Sequence, residues 1–489
     1  MSAKIIDNKL YLYNPINKKN IGSIPITSDT EFQIILNNAK LESLKYNFSN
    51  FFDRQKIINQ FNKGIISNLD KIINLICNET GKKYVEALME VFISVEHIKR
   101  SKKNLYKALR KETRKVGILK SRKAWIEYEA IGTVGIISPW NYPLILVISP
   151  LVEALLAGNV VILKPSEHAP LTTQLIKQIW DEATGRPALF QPIYGDGNLG
   201  NTLVESSDIN LICFTGSTKV GKKIATSCAS TFKPVILELG GKDPMIILDD
   251  ADIDRTIEAA LWGGCTNAGQ TCLSVERIFV QENIYKEVVG KLSELIKKTS
   301  AGYNNCEIGA ITTELGFLNL KKQLRDIKIV SNVVQGNADE GFFIPPTLVI
   351  EPPFNSELFT KETFGPIMTI HAFKTIDDAI QLANNTGYGL SASIFGKNKK
   401  HIKFISRRLN VGTVSINDVL THYGIADLPF GGMGLSGIGK VHGVEGLRAF
   451  SKQKAYMKTR IQLKSEFWWY KRIEKFENYI KKWIQWQYS

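Results

Sequence analysis

Short β-branched runs alternate with helical segments through most of this chain, and this alternation limits the fold more than any other feature of the sequence. The first set of strand-like runs and helical patterns lies at 160–163, 171–183, 189–193, 211–214, 219–229 and 235–239. Alternation of this kind predicts a doubly wound parallel sheet covered by helices. Such sheets bind ligands at the carboxyl ends of their strands, so polar residues at those ends are the first candidates for a site.

A second alternating region, from 252 to about 416, predicts a second α/β domain. Its strand-like runs lie at 277–280, 347–350, 366–370, 392–395 and 412–416. Ahead of both regions, residues 29–109 carry apolar residues three and four positions apart, which predicts helices. A chain of 489 residues is too long for one core, so we expect two or three domains.

Charge, cysteines and histidines narrow the class of protein. The net charge is +15, but the lysines are scattered, which favours a solvated surface over attraction to anionic membranes or acidic substrates. No recognition module indicates nucleic-acid binding. The six cysteines form no C-x-x-C pair, and the six histidines are dispersed, so we expect reduced thiols in a cytoplasmic compartment and no metal site.

The sequence predicts neither export nor a membrane span. The N-terminus lacks the regions of a signal peptide. The longest apolar run, 143–163, is interrupted by Pro150 and Glu153, so we do not expect it to cross a bilayer.

Cys272 lies in the run Gly263–Ser274, which is rich in glycine and small polar residues and follows an apolar helical segment at 256–262. A cysteine that only fills a core usually lies among large aliphatic residues. These surroundings instead suit a bent backbone that turns the thiol towards a cleft, as for a nucleophile. An inert buried thiol is the alternative, because reactivity depends on the environment of the thiol.

Three motifs follow strand-like runs. Phe214–Gly221 ends a strand, and Ser217 can cap the next helix and leave backbone N–H groups free for a phosphate; an ordinary capped turn is the alternative. Gly195–Gly200 is a literal G-x-G-x-x-G, but no acidic residue follows about 20 positions later, so a plain turn fits as well. Lys164 and Glu167 follow a buried strand, either as a ligand site or as a surface turn.

Glu238 stands near the end of the apolar run 235–239, with two glycines close behind it. A carboxylate in this position can act as a general base with a raised pKa. A glutamate held in a salt bridge is the alternative.

Seven motifs occur in one order along the chain. They are Pro-Trp-Asn with Asn141, Lys-Pro-Ser-Glu with Lys164 and Glu167, Gly-Ser-Thr-Lys-Val-Gly from Gly216 to Gly221, Glu-Leu-Gly-Gly-Lys with Glu238, Gly-Gln-Thr-Cys with Cys272, Glu-Thr-Phe-Gly-Pro from Glu362, and Pro-Phe-Gly-Gly-Met-Gly-Leu-Ser-Gly from Pro429. Together they closely resemble the NAD(P)-dependent aldehyde dehydrogenase superfamily. The resemblance covers about residues 8–462, and the span 240–280 is most similar to succinate-semialdehyde dehydrogenases.

The resemblance implies a covalent mechanism. Cys272, as a thiolate, would attack the aldehyde and form a thiohemiacetal, while the Asn141 side-chain amide and the Cys272 N–H hold the oxyanion. After hydride transfer to nicotinamide, Glu238 would activate the water that hydrolyses the thioester. Relatives that pass the acyl group to coenzyme A lack this glutamate, so a free acid is the expected product.

The resemblance also implies the cofactor contacts. Lys164 and Glu167 would contact the adenosine ribose, and a carboxylate there repels a 2′-phosphate and favours NAD, although relatives with this glutamate include enzymes that also use NADP. Ser217 would lie beside the pyrophosphate and Glu362 beside the nicotinamide ribose. The residues expected at the cofactor are Trp140, Lys164, Glu167, Gly197, Gly216, Ser217, Gly221, Leu239, Glu362 and Phe364. Asn417 and Phe430 are expected to line or support the substrate tunnel.

The expected architecture is therefore an aldehyde dehydrogenase-like α/β fold. It would have a Rossmann-type cofactor domain (1–118 and 138–245), a second α/β catalytic domain (246–430) and a small β oligomerisation arm (119–137 and 448–462). The arm would join subunits in a homodimer or homotetramer.

The family pattern ends near Arg460, and the chain continues as a basic aromatic tail, residues 464–489. One stripe of a helix is formed by Trp469, Ile473, Phe476, Ile480 and Trp483. An amphipathic helix with aromatic residues on one face and Lys and Arg elsewhere suits a membrane surface. Packing of this helix on the body of the protein or on a partner subunit is the alternative.

A catalytically silent relative, kept as a scaffold or a membrane-associated binding protein, is the alternative function. Loss of Cys272, Asn141 or Glu238 would indicate such a protein, and all three are present. We therefore expect a soluble, oligomeric, NAD-preferring aldehyde dehydrogenase whose aldehyde the sequence does not identify.

Overall fold

The structure is a computed structural model that describes residues 2–466, 468–470 and 473–488. Its strands are β1 Ala3–Ile6, β2 Lys9–Tyr13, β3 Asn20–Pro25, β4 Glu112–Arg114, β5 Arg122–Ala130, β6 Thr133–Ile137, β7 Val160–Lys164, β8 Phe190–Pro192, β9 Leu211–Thr215, β10 Val235–Glu238, β11 Asp243–Ile247, β12 Val275–Gln281, β13 Ser300–Ala301, β14 Asn332–Gln335, β15 Asn337–Ala338, β16 Thr347–Ile350, β17 Ile367–Phe373, β18 Tyr388–Gly389, β19 Ser391–Phe395, β20 Thr413–Ile416, β21 Met433–Gly434, β22 Gly437–Ile438 and β23 Ser451–Thr459.

Its α-helices are α1 Asp29–Tyr46, α2 Phe51–Ser67, α3 Leu69–Thr80, α4 Tyr84–Leu109, α5 Ile145–Leu156, α6 Pro170–Thr184, α7 Gly197–Glu205, α8 Thr218–Ala229, α9 Ile253–Cys265, α10 Glu282–Lys298, α11 Glu314–Ile327, α12 Glu357–Thr360, α13 Ile376–Asn384, α14 Lys399–Ser406, α15 Gly443–Ala449 and α16 Ile473–Tyr488. Short 3-10 helices lie at Pro187–Leu189, Thr266–Gly269 and Thr421–Gly424.

The first alternating region forms a six-stranded sheet with the order β22-β10-β9-β6-β7-β8. Its five strands from β10 to β8 are parallel, and β22 pairs antiparallel with β10. The predicted doubly wound parallel sheet is confirmed. The strand β6 has β7 on one side and β9 on the other, so the order of the strands reverses beside β6. Sheets of this kind bind ligands at such a point.

The position of β6 corrects one expected boundary. We expected residues 119–137 to belong to an oligomerisation arm, but β6 is a central strand of the six-stranded sheet. Four of its five residues are buried, as is typical of a parallel strand covered on both faces. The preceding strand β5 is only half-buried along most of its length and lies in a different sheet.

The second alternating region forms a seven-stranded sheet with the order β14-β16-β17-β12-β11-β19-β20, in which only the β14–β16 pair is antiparallel. The central strand β11 was not predicted, because it follows β10 so closely that the two were treated as one motif. Met245 and Ile247 pack in one apolar cluster, and Ile246 and Leu248 pack in another. Successive side chains therefore bury opposite faces of the sheet.

The long apolar run 143–163 contributes to the core of the first sheet. It forms α5, which carries Pro150 inside the helix, and then the fully buried strand β7. In the described part of the chain, no helix is both long enough and apolar enough to cross a bilayer.

Residues 110–128 and 453–489 form a separate compact unit. Within it, β5 lies between β23 and β4, and Trp125 stacks on Tyr456 with ring centroids 5.3 Å apart. Arg122 binds Glu466 at 2.6 Å, and both side chains are buried. The tail continues as α16, although residues 467, 471, 472 and 489 of the predicted tail lie outside the described residues.

Candidate active site

Cys272 follows a strained bend at the end of the 3-10 helix Thr266–Gly269. Asn267, Ala268 and Gly269 have φ values of 52°, 55° and 69°, three consecutive residues in the left-handed region. A Cβ on Gly269 would lie 2.2 Å from the backbone of Gly365, so only glycine fits there. A backbone of this kind persists when its surroundings hold it in place.

Side-chain amides hold this bend. Asn267 Nδ2 donates to the Asn141 carbonyl at 2.9 Å, and the Asn267 N–H donates to Glu86 Oε1 at 2.5 Å. Gln270 Nε2 donates to the Asn267 carbonyl at 2.9 Å, and Gln270 Oε1 accepts from the Thr312 N–H at 2.9 Å. The bend before Cys272 is therefore built from contacts far apart in the sequence.

Asn141, the predicted oxyanion donor, lies on the loop next to Cys272. Its Nδ2 donates to the carbonyl of Gln270 at 2.9 Å, two residues before the cysteine. A primary amide carries two N–H donors, so this bond leaves one hydrogen free for a developing oxyanion. The side chain of Asn141 is buried, and its Oδ1 has no hydrogen-bond partner among the described residues.

Glu238 ends β10 and lines, together with Cys272, a small cavity of about 20 Å³. The glutamate is 5 % exposed, and neither carboxylate oxygen has a hydrogen-bond partner in the described ranges. The structure therefore does not show the alternative, a glutamate held in a salt bridge. Burial raises the pKa of Glu238 well above its ordinary value, against the opposing charge of Lys440. A carboxyl in this state suits a general base better than a structural ion.

The surroundings of Cys272 affect the ionisation of its thiol. Its pKa is raised by burial and further by the charges of Glu362, Asp243 and Glu238. Burial and like charges both disfavour the thiolate that attack on an aldehyde requires. A group that takes the proton would therefore promote attack by the sulfur, and Glu238 lines the same cavity.

Most residues expected at the cofactor meet at one edge of the six-stranded sheet. Lys164 ends β7, Gly216 follows β9, Leu239 follows β10, and Trp140 stands three residues after β6. These strands are parallel neighbours, so their carboxyl ends lie together. The structure thus groups residues that are up to 99 positions apart, from 140 to 239.

The turn after β9 ends in a helix N-terminus suited to an anion. Ser217 is exposed, and its hydroxyl caps α8 by accepting from the Val220 N–H at 3.4 Å, as predicted. The first turn of α8 carries no acidic residue. Gly221 packs closely against the residue that follows β10, because a Cβ on Gly221 would lie 2.5 Å from the Leu239 side chain. A free helix N-terminus with close helix–strand packing fits a bound pyrophosphate.

Lys164 and Glu167 do not form a simple surface turn. Lys164 is 3 % exposed, and its Nζ lies 3.5 Å from Glu167 Oε2 and donates to the Pro165 carbonyl at 3.0 Å. Nearby, Gly195–Gly200 leads into α7, which is capped by Asp196. A Cβ on Gly197 would meet nothing within 4 Å, so the space beside it is open.

Glu362 and Phe364 reach this region from the loop before β17, which belongs to the seven-stranded sheet. Glu362 Oε1 accepts from the Gly241 N–H at 3.3 Å, and burial raises the pKa of Glu362 to about 8. Phe364 has φ 56° and meets Trp140 edge to face, with ring centroids 5.6 Å apart. Both sheets therefore contribute to the predicted cofactor residues, and the set fits a dinucleotide.

A second and larger cavity, of about 640 Å³, also reaches Cys272. Its walls come from α4, from Trp262 of α9 and from residues 420–425. Phe430 lines the small cavity beside Glu238, as its expected role at the substrate requires. Asn417 lines neither cavity: it is exposed, and its amide binds the N–H and the carbonyl of Gly396, both at 2.9 Å. It supports the ends of β19 and β20.

Lys82 and Glu90 belong to the site but were not predicted from the sequence. Their side chains are fully buried and paired at 2.7 Å, and Lys82 Nζ also donates to the Asn141 carbonyl at 2.8 Å. Glu90 Oε1 accepts the N–H groups of Leu144 and Ile145 at 2.8 and 3.2 Å, at the start of α5. The only available signal was a charged residue on the apolar face of a predicted helix.

Comparison with known proteins places the chain in a family. The profile of the "Aldehyde dehydrogenase family" matches residues 4–456. A 4,4′-diapolycopene aldehyde oxidase of Methylomonas sp. is 33 % identical over 464 residues, which are 94 % of this chain and 87 % of that protein. A putative succinate-semialdehyde dehydrogenase [NADP(+)] of Mycobacterium bovis is 29 % identical over 91 % of this chain and 87 % of that protein.

The fold agrees with solved structures. A betaine aldehyde dehydrogenase of Staphylococcus aureus, solved in complex with NAD+, superposes with a TM-score of 0.89 at 28 % identity, over 95 % of this chain and 94 % of that chain. The resemblance inferred from the seven motifs is confirmed. With a family match across nearly the whole chain and a relative 33 % identical, this protein belongs to the aldehyde dehydrogenase family.

Proposed function

We propose that this protein oxidises an aldehyde to the carboxylic acid with NAD+, through a thioester on Cys272 that Glu238 helps to hydrolyse. The observation that carries this proposal is that Cys272 and Glu238 line one buried cavity, with Asn141 bonded to the adjoining loop. Aldehyde, water and oxidised cofactor give acid, reduced cofactor and protons.

The first step is attack of the Cys272 sulfur on the aldehyde carbon. Because burial and neighbouring carboxylates raise the pKa of the thiol, its proton must pass to a base, and Glu238 takes this role in its ionised form. The free N–H of Asn141 and the backbone N–H of Cys272 stabilise the oxyanion. One such donor contributes about 100- to 1000-fold to the rate.

Bound NAD+ supplies the hydride acceptor, and the chain's part is to hold it. We assign the pyrophosphate to Ser217 and the N-terminus of α8, one ribose to Lys164 and Glu167, and the other to Glu362. Further proposed contacts are Trp140, Gly197, Gly216, Gly221, Leu239 and Phe364. The Glu167 carboxylate favours NAD over NADP, although the Mycobacterium relative is described as using NADP(+).

After it has released the thiol proton to solvent, Glu238 completes the reaction by taking a proton from the water that attacks the thioester. Since a base occupies this position, we propose a free acid as product instead of an acyl-coenzyme A. The competing function, a catalytically silent scaffold, predicts that no aldehyde reduces NAD+.

Single-turnover kinetics test the assignment. Cys272→Ala should form no NADH from any aldehyde, because no covalent intermediate forms. Glu238→Gln should still form a burst that approaches one NADH per chain, but more slowly, because the base that takes the Cys272 proton is gone. Steady-state turnover should fall by about 100-fold or more, because general base catalysis of hydrolysis is gone as well. Stopped-flow absorbance measures both. Full turnover by Cys272→Ala, or a wild-type protein that oxidises no aldehyde, would reject the proposal.

We also propose a homodimer or homotetramer. The strand β23 lies at one edge of its three-stranded sheet and is largely exposed, which supports contact with a second copy along this edge. For the tail, we propose contact of α16 with an anionic membrane surface by a cytoplasmic protein. Tyr479 and Trp486 on α16 are 70 % and 76 % exposed, which supports an interface contact.

A further inference from the structure

The cavity of about 640 Å³ that reaches Cys272 is walled mainly by large apolar side chains. They are Val85, Met89, Phe92 and Ile93 of α4, together with Trp262 and Ile425. Phe92 and Trp262 are 57 % and 49 % exposed, so an unusual amount of apolar surface borders this space. Exposed apolar patches of this kind mark ligand grooves.

The three carboxylates of this cavity have partners within the chain. Glu90 binds Lys82 at 2.7 Å, and Glu96 binds Lys99 at 2.9 Å. Glu86 accepts backbone N–H groups from Asn267 and from Lys83, which leaves its charge in place. Two of the three carboxylates are thus already in ion pairs with lysines, which weakens the attraction for a cationic substrate.

No lysine, arginine or histidine lines the cavity within the part of the chain that the structure describes. An aldehyde that carries a carboxylate would therefore enter without a counter-charge, which burial makes costly.

The cavity is also long. Cavity-lining residues of α4 run from Val85 to Glu96, three helical turns that span about 16 Å at about 1.5 Å per residue. An extended chain advances about 1.2 Å per bond, so this wall matches a chain of roughly a dozen bonds.

We infer that the aldehyde oxidised at Cys272 is uncharged and apolar, with a long hydrocarbon chain. This inference rests on the proposed function and names its substrate class. It departs from the similarity of residues 240–280 to succinate-semialdehyde dehydrogenases, because that substrate carries a carboxylate that the cavity does not match.

A series of straight-chain aldehydes from propanal to dodecanal tests the inference on the full-length protein with NAD+. The value of kcat/KM should rise by about fourfold per added methylene until the cavity is filled, the equivalent of about 0.8 kcal/mol for each buried CH₂. Succinate semialdehyde serves as the anionic substrate and betaine aldehyde as the cationic one. For both, kcat/KM should be lower than for hexanal. A flat series, or either charged aldehyde as the best substrate, overturns the inference.

A variant in the wall sharpens the test. Phe92→Asp should lower the ratio of kcat/KM for decanal to kcat/KM for propanal by about tenfold or more, because only the long chain reaches α4 residues beyond the thiol. Phe52→Asp is the matched control, since Phe52 is also an exposed phenylalanine on a helix but does not line the cavity. Equal effects of the two variants on decanal would contradict the inference.

Measurements of ligand binding distinguish failure of the inference from failure of the proposed function. Calorimetric titration with decan-1-ol and with 4-hydroxybutanoate measures the cavity without any oxidation. Tight binding of decan-1-ol that Phe92→Asp weakens, with no aldehyde oxidised, would reject the proposed function and leave the apolar ligand class in place. Preference for 4-hydroxybutanoate, with Cys272-dependent oxidation of succinate semialdehyde, would reject the inference alone.

Discussion

The same burial raises the pKa of both Glu238 and Cys272. Burial raises the pKa of Glu238 well above its ordinary value, and the charge of Glu238, when it is ionised, adds to the raised pKa of Cys272. Burial therefore disfavours the charged form of each group. The ionisation of Glu238 should then limit the activation of the thiol.

The pH dependence of activity follows from this arrangement. A base with a raised pKa is ionised only as the pH rises towards that pKa, so kcat/KM should increase as the pH is raised from the acidic to the alkaline side of neutral. Glu238→Gln should flatten this rise in the burst phase, whereas Glu287→Gln, on the exposed pair with Lys291, should leave it unchanged. Initial rates across buffers of constant ionic strength measure it. A wild-type profile that is flat over this interval would contradict the assignment of Glu238.

At the scale of elements, two buried carboxylates fix two helices beside the site. Glu90 of α4 accepts the first N–H groups of α5, the helix that follows Asn141. Glu79 of α3 does the same for α6, accepting from the N–H groups of Leu171 and Thr172 at 2.6 and 2.8 Å and from the Thr172 hydroxyl at 2.5 Å. Each carboxylate satisfies donors that a helix N-terminus leaves free.

Removing one of these caps should destabilise the fold without changing the chemistry. Glu79→Ala leaves two buried N–H groups without partners. The free energy of unfolding should therefore fall by about 1–3 kcal/mol for each N–H group that loses its acceptor. Urea denaturation followed by tryptophan fluorescence measures this. Glu42→Ala, at an exposed pair with Arg186, is the control and should cost no more than about 1 kcal/mol. Equal stability of Glu79→Ala and wild type would contradict the capping role.

Glu79 also gives the stability a pH dependence. Burial outweighs the three hydrogen bonds and raises the pKa of Glu79 from 4.5 to about 7. A group with a raised folded pKa binds its proton more tightly in the native state, so its contribution is complete below the unfolded pKa and is lost as the pH rises through about 7. The advantage of wild type over Glu79→Ala should therefore be larger at acidic than at alkaline pH.

At the scale of the whole molecule, the tail is the feature that the family fold does not require. On α16, Ile473, Phe476, Ile480 and Trp483 of the predicted stripe are half-buried, while Tyr479, Ile484 and Trp486 are exposed. An exposed aromatic rim beside Lys481 and Lys482 suits the surface of an anionic bilayer.

Truncation after residue 472 tests this role and retains the buried Arg122–Glu466 pair. The truncated protein should lose binding to anionic liposomes in a sedimentation assay, while turnover of a water-soluble aldehyde is retained. Tyr479→Ser combined with Trp486→Ser should weaken liposome binding in the full-length chain as well. If truncation leaves liposome binding unchanged but changes the mass in light scattering, the tail packs on a partner subunit instead.

The residues of the site show how far local sequence could predict it. The helix cap at Ser217, the strand-end positions of Lys164 and Glu238 and the bend at Cys272 were predicted correctly, because each depends on neighbours within a few positions. Asn417 was expected to line or support the tunnel and only supports a sheet edge, because its amide binds Gly396. The three left-handed residues before Cys272 were not predicted, since their stability depends on contacts with Glu86 and Asn141.

The alternation of apolar runs and helices determined both parallel sheets, because burial on two faces requires that pattern wherever the strands lie. The order of seven motifs likewise determined the family. Only the tertiary structure decided that β6 belongs to the first sheet, that burial raises the pKa of the thiol and that an apolar cavity reaches it. These properties depend on residues brought together across long separations, such as Lys82 with Asn141 and Glu86 with Asn267, and on the burial that results. No local sequence pattern indicates these long-range contacts or the burial that they produce.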